Sequence, residues 1–323
     1  MFKRILVPLD GSQRAERAAL VAARCARSTG SALLFLRVVH APARLGLAGE
    51  PPMLAMAATE EDVLHVAAYL EQFARRDEFK DLDIETQALE GDVVATILEV
   101  AADEQVNAVM LCSHGRSGVM RRAFGSVAHM LVRSSPVPVF VLRAKDSTFP
   151  ANEAHGLRAM VALDGSECAE RALLPAADLV ESLSLAKPAT LWLVRVVPIP
   201  DVPPSGASDS GSGEWTERQR SLHAHMVEEA TIYLRKVSDR LMNNELAGRM
   251  VALEQAVIPH PDIGGALIDA AMGATRSGRC DVIAMATHGR TGIQGWMVGS
   301  IAERVLDAAP IPMLVISTRE QRS

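Results

Sequence analysis

The sequence predicts two tandem α/β domains, each doubly wound around a mostly parallel five-stranded sheet. Three observations carry that reading. Four segments recur in the same order along the chain: "ILVPLDGSQRAERAAL" (5–20) matches "AMVALDGSECAERALL" (159–174), "LRVVHAP" (36–42) matches "VRVVPIP" (194–200), "GDVVATIL" (91–98) answers "PDIGGALI" (261–268), and "SPVPVFVLR" (135–143) answers "APIPMLVIS" (309–317). A period this long marks a duplicated domain and not a solenoid. Short runs of Val, Ile and Leu, namely Ile5 to Leu9, Leu33 to Val39, Ala108 to Cys112 and Val137 to Leu142, lack polar alternation, so both faces of their sheet must be covered. Helical stretches separate these runs, the alternation that a parallel sheet requires.

Each element has a local reason. The first strand ends at Asp10, or at Asp164 in the second copy, where "DGSQ" and "DGSE" place Gln or Glu three residues after Asp in the form of a reciprocal helix cap. Capping and ligand contact are both open for these aspartates. Ala15, Ala18, Ala19, Ala22 and Ala26 then set small residues at helical spacing, suited to close packing on a sheet. Arg17 and Arg171 are assigned to a solvated helix face. Asp92 and Asp262 stand where the helices after the third strands begin, as N-caps. The last strands carry Pro136, Pro138, Pro310 and Pro312, which fit edge positions. Domains are expected at 1–145 and 156–318, joined by the polar stretch from Ala144 to Gly156. The Pro203 to Gly213 stretch, "PPSGASDSGSG", has the composition of a mobile loop.

Composition narrows the function. Of 323 residues, 49% are hydrophobic and 22% charged, the balance of a globular protein, and the formal charge of −6 argues against a general nucleic-acid binder. The apolar run of "MFKRILVPLDGS" stops at Asp10, too short for a signal core or a membrane span, so a cytoplasmic protein without a membrane partner is expected. Cys25, Cys112, Cys168 and Cys280 show no paired spacing, so neither a disulfide framework nor a zinc site is indicated, and isolated buried thiols are expected.

One stretch joins strand to helix with unusual chemistry. "LCSHGRSGVMRRAFGSVAHMLV" (111–132) and its copy "MATHGRTGIQGWMVGSIAERVL" (285–306) each run from an apolar strand through a Gly-rich loop to a helix opened by Gly-Ser. A helix start offers unpaired N–H donors and a positive dipole end, which together suit an anion. Arg116, Arg121 and Arg122 add charge for phosphate oxygens. The simpler reading makes Ser126 an ordinary N-cap. A valine at Gly125 is expected to place a branched side chain where an anion would approach the backbone, sharply weakening binding while the fold survives, and to strain the backbone if a positive φ is required there. The loop is neither a Walker A string nor a G-x-G-x-x-G fingerprint. His114 and His288 have no sequence-placed partner that would make them catalytic, so no catalytic residue and no metal ligand is assigned.

With these strings in view, each half resembles the universal stress protein domain, whose ATP-binding branch carries G-x-x-G, nine residues, then G-[ST]. The matching stretches run from Cys112 to Gly115 followed by Gly125-Ser126, and from Ala286 to Gly289 followed by Gly299-Ser300, with Cys112 and Ala286 replacing the first glycine. The resemblance implies a Rossmann-like fold and a ribose and phosphate site at Gly115, Gly125, Ser126, Gly289, Gly299 and Ser300. His114, Arg116, His288 and Arg290 are grouped with it. It also implies a nucleoside end at Asp10 and Asp164, and an adenine edge at the backbone of Val38 and Val196. The expected function is a tandem sensor or regulator in the stress response that binds ATP or a related adenine nucleotide, with magnesium accompanying a triphosphate as a charge-neutralising ion. It is not expected to be an enzyme. The alternatives are an interaction protein with empty pockets and a slow ATPase. The final strands are expected to pair, making an intrachain pseudo-dimer, and a homodimer of chains is a further expectation.

Overall fold

The computed structural model describes residues 2–39, 60–113, 125–143, 149, 156–184, 187–199, 217–274, 278–287 and 299–317. The loops from His114 to Phe124 and from His288 to Val298, the Pro203 to Gly213 stretch and most of the polar segment after Arg143 lie outside the described residues.

The first repeat runs β1 (Arg4–Pro8), α1 (Gln13–Thr29), β2 (Ala32–Val39), α2 (Glu60–Ala74), β3 (Ile84–Glu90), α3 (Val93–Asp103), β4 (Ala108–Cys112), α4 (Ser126–Ser134) and β5 (Val139–Leu142). The second runs β6 (Arg158–Ala162), α5 (Glu167–Glu170), α6 (Leu173–Leu183), β7 (Ala189–Val197), α7 (Glu217–Asn243), β8 (Val251–Pro259), α8 (Ile263–Ala271), β9 (Val282–Ala286), α9 (Ser300–Ala308) and β10 (Met313–Ile316). Five strands per repeat agree with the sequence reading.

Two compact units divide the chain: residues 1–154 with 310–323, and residues 155–309. In the first unit the strand order is β3-β2-β1-β4-β5-β10, parallel throughout except for the antiparallel pairing of β10 with β5. The last strand of the second repeat therefore belongs to the first unit. There, Met313, Leu314 and Val315 face Val141, Phe140 and Val139 in register, and the Arg143 guanidinium donates to the Ile311 carbonyl. The pairing expected of the last strands is present, and it gives β5 a neighbour on each side, so β5 is not an edge strand. Its prolines stand just before the strand, where no ladder N–H is needed. In the second unit the order is β9-β6-β7-β8, all parallel.

Burial follows the sequence pattern. Ile5, Leu6 and Val7 of β1 and Leu33 to Leu36 of β2 are fully buried, as expected for strands covered on both faces. Ala15, Ala18, Ala19, Ala22 and Ala26 form the buried stripe of α1. Phe35 anchors an aromatic cluster with Phe73 (5.5 Å) and Phe79 (5.2 Å), while buried Trp192 on β7 carries the corresponding bulk in the second unit. Asp92 and Asp262 cap α3 and α8, each accepting from first-turn N–H groups (Ala95, 2.9 Å; Gly265, 3.1 Å). Of the cysteines, Cys25 and Cys280 are buried but Cys112 and Cys168 are only half-buried, which corrects the expectation for those two.

Candidate functional site

The site lies at the carboxyl ends of the parallel strands, where this fold class binds ligands. In the second unit a cavity of about 360 Å³ opens there, in the range of small-molecule pockets. It brings together Asp164 after β6, Val196 on β7, Ala286 at the end of β9, and Gly299-Ser300 at the start of α9. These are the second-half residues that the sequence pointed to, apart from His288, Gly289 and Arg290, which lie outside the described residues. In the first unit Asp10, Val38, Cys112, Gly125 and Ser126 occupy the corresponding ends of β1, β2 and β4 and the start of α4. His114, Gly115 and Arg116 lie outside the described residues.

The Asp-Gly-Ser turn has a different division of labour from the reciprocal cap expected of it. Ser12 and Ser166, not the aspartates, are the N-caps, with side chains accepting from Ala15 N–H and Ala169 N–H (3.2 Å each). The carboxylate of Asp10 accepts from the Ser12 N–H (2.9 Å), and that of Asp164 from both the Ser166 N–H (2.9 Å) and its hydroxyl (2.6 Å). The reason lies in the glycine between them. Gly11 and Gly165 take φ of +79° and +92°, conformations glycine adopts without a Cβ penalty, and these turn the chain so that serine leads into the helix.

At the phosphate end, Gly125 and Gly299 are the N-caps of α4 and α9, and neither start has a side-chain cap among the described residues. Ser126 and Ser300 are exposed first residues of their helices, so the reading of Ser126 as an N-cap is corrected. A glycine cap has no side-chain oxygen with which to accept from the first turn, leaving those donors to water or to an anion. The caps are fixed by their own N–H groups, which donate to the carbonyls of Ser113 (2.7 Å) and Thr287 (2.8 Å). Gly125 has φ −62°, so no left-handed backbone is required of it. Close approach is what glycine supplies here: a Cβ on Gly299 would stand 3.3 Å from the Thr287 carbonyl oxygen.

A third component was missed in the sequence and is present twice. The Tyr69 hydroxyl donates to Glu16 (2.9 Å), which also accepts from Arg76 (2.9 Å), and the Arg37 guanidinium lies 4.9 Å from the Tyr69 ring centre. In the second unit Tyr233 donates to Glu170 (3.0 Å), Arg240 donates to Glu170 (2.7 Å), and Arg195 lies 5.2 Å from the Tyr233 ring. Burial first, then the bonded carboxylate, pushes the Tyr69 phenol up to about 12, and Tyr233 is raised by the same causes in the same order. The signal was available: these are the only two tyrosines of the chain, and each is followed by Leu and, seven residues on, by Arg. Among the described residues, no group of three or more His, Cys, Asp or Glu side chains is placed to hold a metal ion.

With this geometry in hand, comparison with known proteins is direct. The model of the Universal stress protein family matches residues 1–143 and 157–317. The chain belongs to the universal stress protein family. A universal stress protein of Mycobacterium tuberculosis is 24% identical over 319 residues, 96% of each chain, and one of Mycolicibacterium smegmatis is 23% identical over 98% of this chain and 97% of its own. A universal stress protein of Thermus aquaticus matches 44% of this chain over its full length at 31% identity. Among solved structures, a universal stress protein from Archaeoglobus fulgidus covers 98% of both chains with a TM-score of 0.58 at 18% identity, which shows the shared fold. No helix among the described residues is long and apolar enough to cross a membrane.

Proposed function

We propose that this tandem universal stress protein binds ATP or a related adenine nucleotide and acts as a sensor or regulator in the stress response, not as an enzyme. The observation that carries the reading is the glycine-capped helix start that opens into the cavity of the second unit, opposite Asp164 and Val196. Its first-turn donors and the Ser300 hydroxyl suit phosphate oxygens, and the largely apolar wall formed by Leu163, Val197, Ile263 and Met285 suits a base. The small side chains of Cys112 and Ala286 keep the approach narrow without closing it. Magnesium would enter with the triphosphate, neutralising its charge. A cytoplasmic location and association of two chains belong to the same proposal.

Denaturing the purified protein and running the supernatant on an anion-exchange column tests the reading. An adenine nucleotide near stoichiometric amounts is the expected result. Its absence, together with no heat on titration with ATP, would favour an interaction protein with empty pockets.

A further inference from the structure

The duplicated arginine is absorbed by neither the glycine-capped helix start nor the Asp-Gly-Ser cap. Arg195 stands two residues before the end of β7 and lines the cavity. Its Nη1, Cζ and Nη2 stand 3.1, 3.2 and 3.3 Å from the point where a Cβ on Gly165 would be, so the guanidinium lies flat against that glycine. Arg37 sits against Gly11 in the same way, at 2.9, 3.2 and 3.3 Å. The glycine of the turn is thus a seat for the arginine as well as a bend in the chain. Tyr233 flanks the guanidinium, and the Glu170–Arg240 pair holds that tyrosine by its hydroxyl. Among the described residues, neither Arg37 nor Arg195 is in an ion pair. A guanidinium held by its face against a glycine keeps its in-plane N–H groups as donors, and it has no acceptor of its own.

Position decides which part of a ligand these donors meet. β6 lies between β7 and β9, so Arg195 is two strand spacings, roughly 10 Å, from the Gly299 end. Val197, Pro198 and Met226 line the same cavity and suit a flat ring, and the Asp164 and Glu229 carboxylates, also in its wall, disfavour a phosphate there. We propose that Arg195 donates in-plane hydrogen bonds to an acceptor atom on the base of the bound nucleoside, and that Arg37 is its counterpart in the first repeat. Tyr233 and Tyr69 are positioning residues that act through the arginines. This rests on the nucleotide reading above and adds a recognition residue to it.

The test is calorimetric titration of the full chain with ATP, adenosine and guanosine. The variants are Arg37→Met with Arg195→Met, Tyr69→Phe with Tyr233→Phe, and all four changes together. The arginine changes should weaken ATP and adenosine by the same factor, about tenfold. The tyrosine changes should weaken both about threefold alone and add nothing once the arginines are gone, the non-additivity of groups acting in series. A loss confined to ATP would put the arginines on phosphate and overturn the base assignment. Unchanged affinities would overturn the contact while leaving the adenine reading intact. Binding of guanosine alone, lost in the arginine variant, would overturn the adenine reading and uphold the arginines. A wild-type chain that binds none of the three overturns both. Unchanged melting temperatures separate lost contact from unfolding, and Arg→Lys at both positions serves if the methionine variant does not fold.

Discussion

Helix α1 runs unbroken for seventeen residues behind the first Asp-Gly-Ser turn, whereas its counterpart is cut into α5 and α6 around Arg171 and Ala172. Pro175 explains the break, because it has no N–H to return to the carbonyl four residues earlier. The Tyr–Glu–Arg cluster nevertheless survives intact in both units. Glu16 and Glu170 sit on the first turn of the helix, Tyr69 on α2 with Arg76 just past its end, and Tyr233 and Arg240 on α7, so none depends on the helix continuing. The facing residues tell the opposite story. One turn before the tyrosine, α7 brings Glu229 to the cavity, while α2 has His65 at the matching position; a turn earlier still, Met226 answers Asp62. The duplicated domain has kept the tyrosine, glutamate and arginine and changed the side chains one and two turns before the tyrosine, where each unit has one carboxylate but at a different turn.

The largest effect is expected from separating the units. A fragment ending at residue 143 leaves β5 without β10 and exposes a row of unpaired backbone groups. It should self-associate or precipitate, as read by light scattering; a well-behaved monomer would show that the strand is dispensable. Next is the difference in affinity. The first loop carries Arg116, Arg121 and Arg122, whereas the second keeps only Arg290, with Gly295 and Trp296 opposite the other two. Glu229 in the second cavity is balanced by Asp62, two turns before Tyr69 in the first repeat, so the contrast rests on the loop arginines. Titration of Gly125→Val and Gly299→Val separately should show the first site tighter for ATP by about tenfold, with the steeper salt dependence. Glu229→Gln should then raise the second site's affinity by only about twofold, since that side chain is 62% exposed. Equal sites at the start would sink the argument from charge.

The smallest effect concerns alkaline stability. A phenol whose folded value is raised holds its proton longer in the native state, so its contribution is complete below about pH 10 and is lost as pH rises toward the folded value, about 12 for Tyr69. Tyr233 is raised as well, so both units should weaken across this window. Tyr69→Phe and Tyr233→Phe should each flatten the fall of melting temperature above pH 10, and an unchanged slope would place the alkaline loss elsewhere.

Much of this was legible in the sequence because it is local. The apolar runs, the alanine stripe of α1, the caps at Asp92 and Asp262 and the Gly-Ser helix starts each depend on a few neighbouring residues, and each stands where its pattern put it. The cap at Asp-Gly-Ser was misread because two capping residues stand two positions apart and only the φ of the glycine decides between them. The Tyr–Glu–Arg cluster was missed because its contacts span 53 and 63 residues. The second repeat carries extra residues between strand and helix, so the two tyrosines fall out of step with the other matches. The pairing of β5 with β10 was expected from the family resemblance alone, because no local residue pattern specifies a partner about 170 residues away.

That strand gives the protein a clock. β5 is complete at Leu142, but Met313, which pairs with Val141, is about 170 residues further along. At cellular translation rates this is a delay on the order of 10–30 s. Throughout it the nascent first unit has its parallel strands assembled and one flank unfinished. On a polysome, several chains at successive stages fall within this interval together, each with the same β5 flank unpaired. The prolines just ahead of β5 and the full translation of the second repeat therefore act in the same interval, one discouraging a wrong strand and the other delivering the right one.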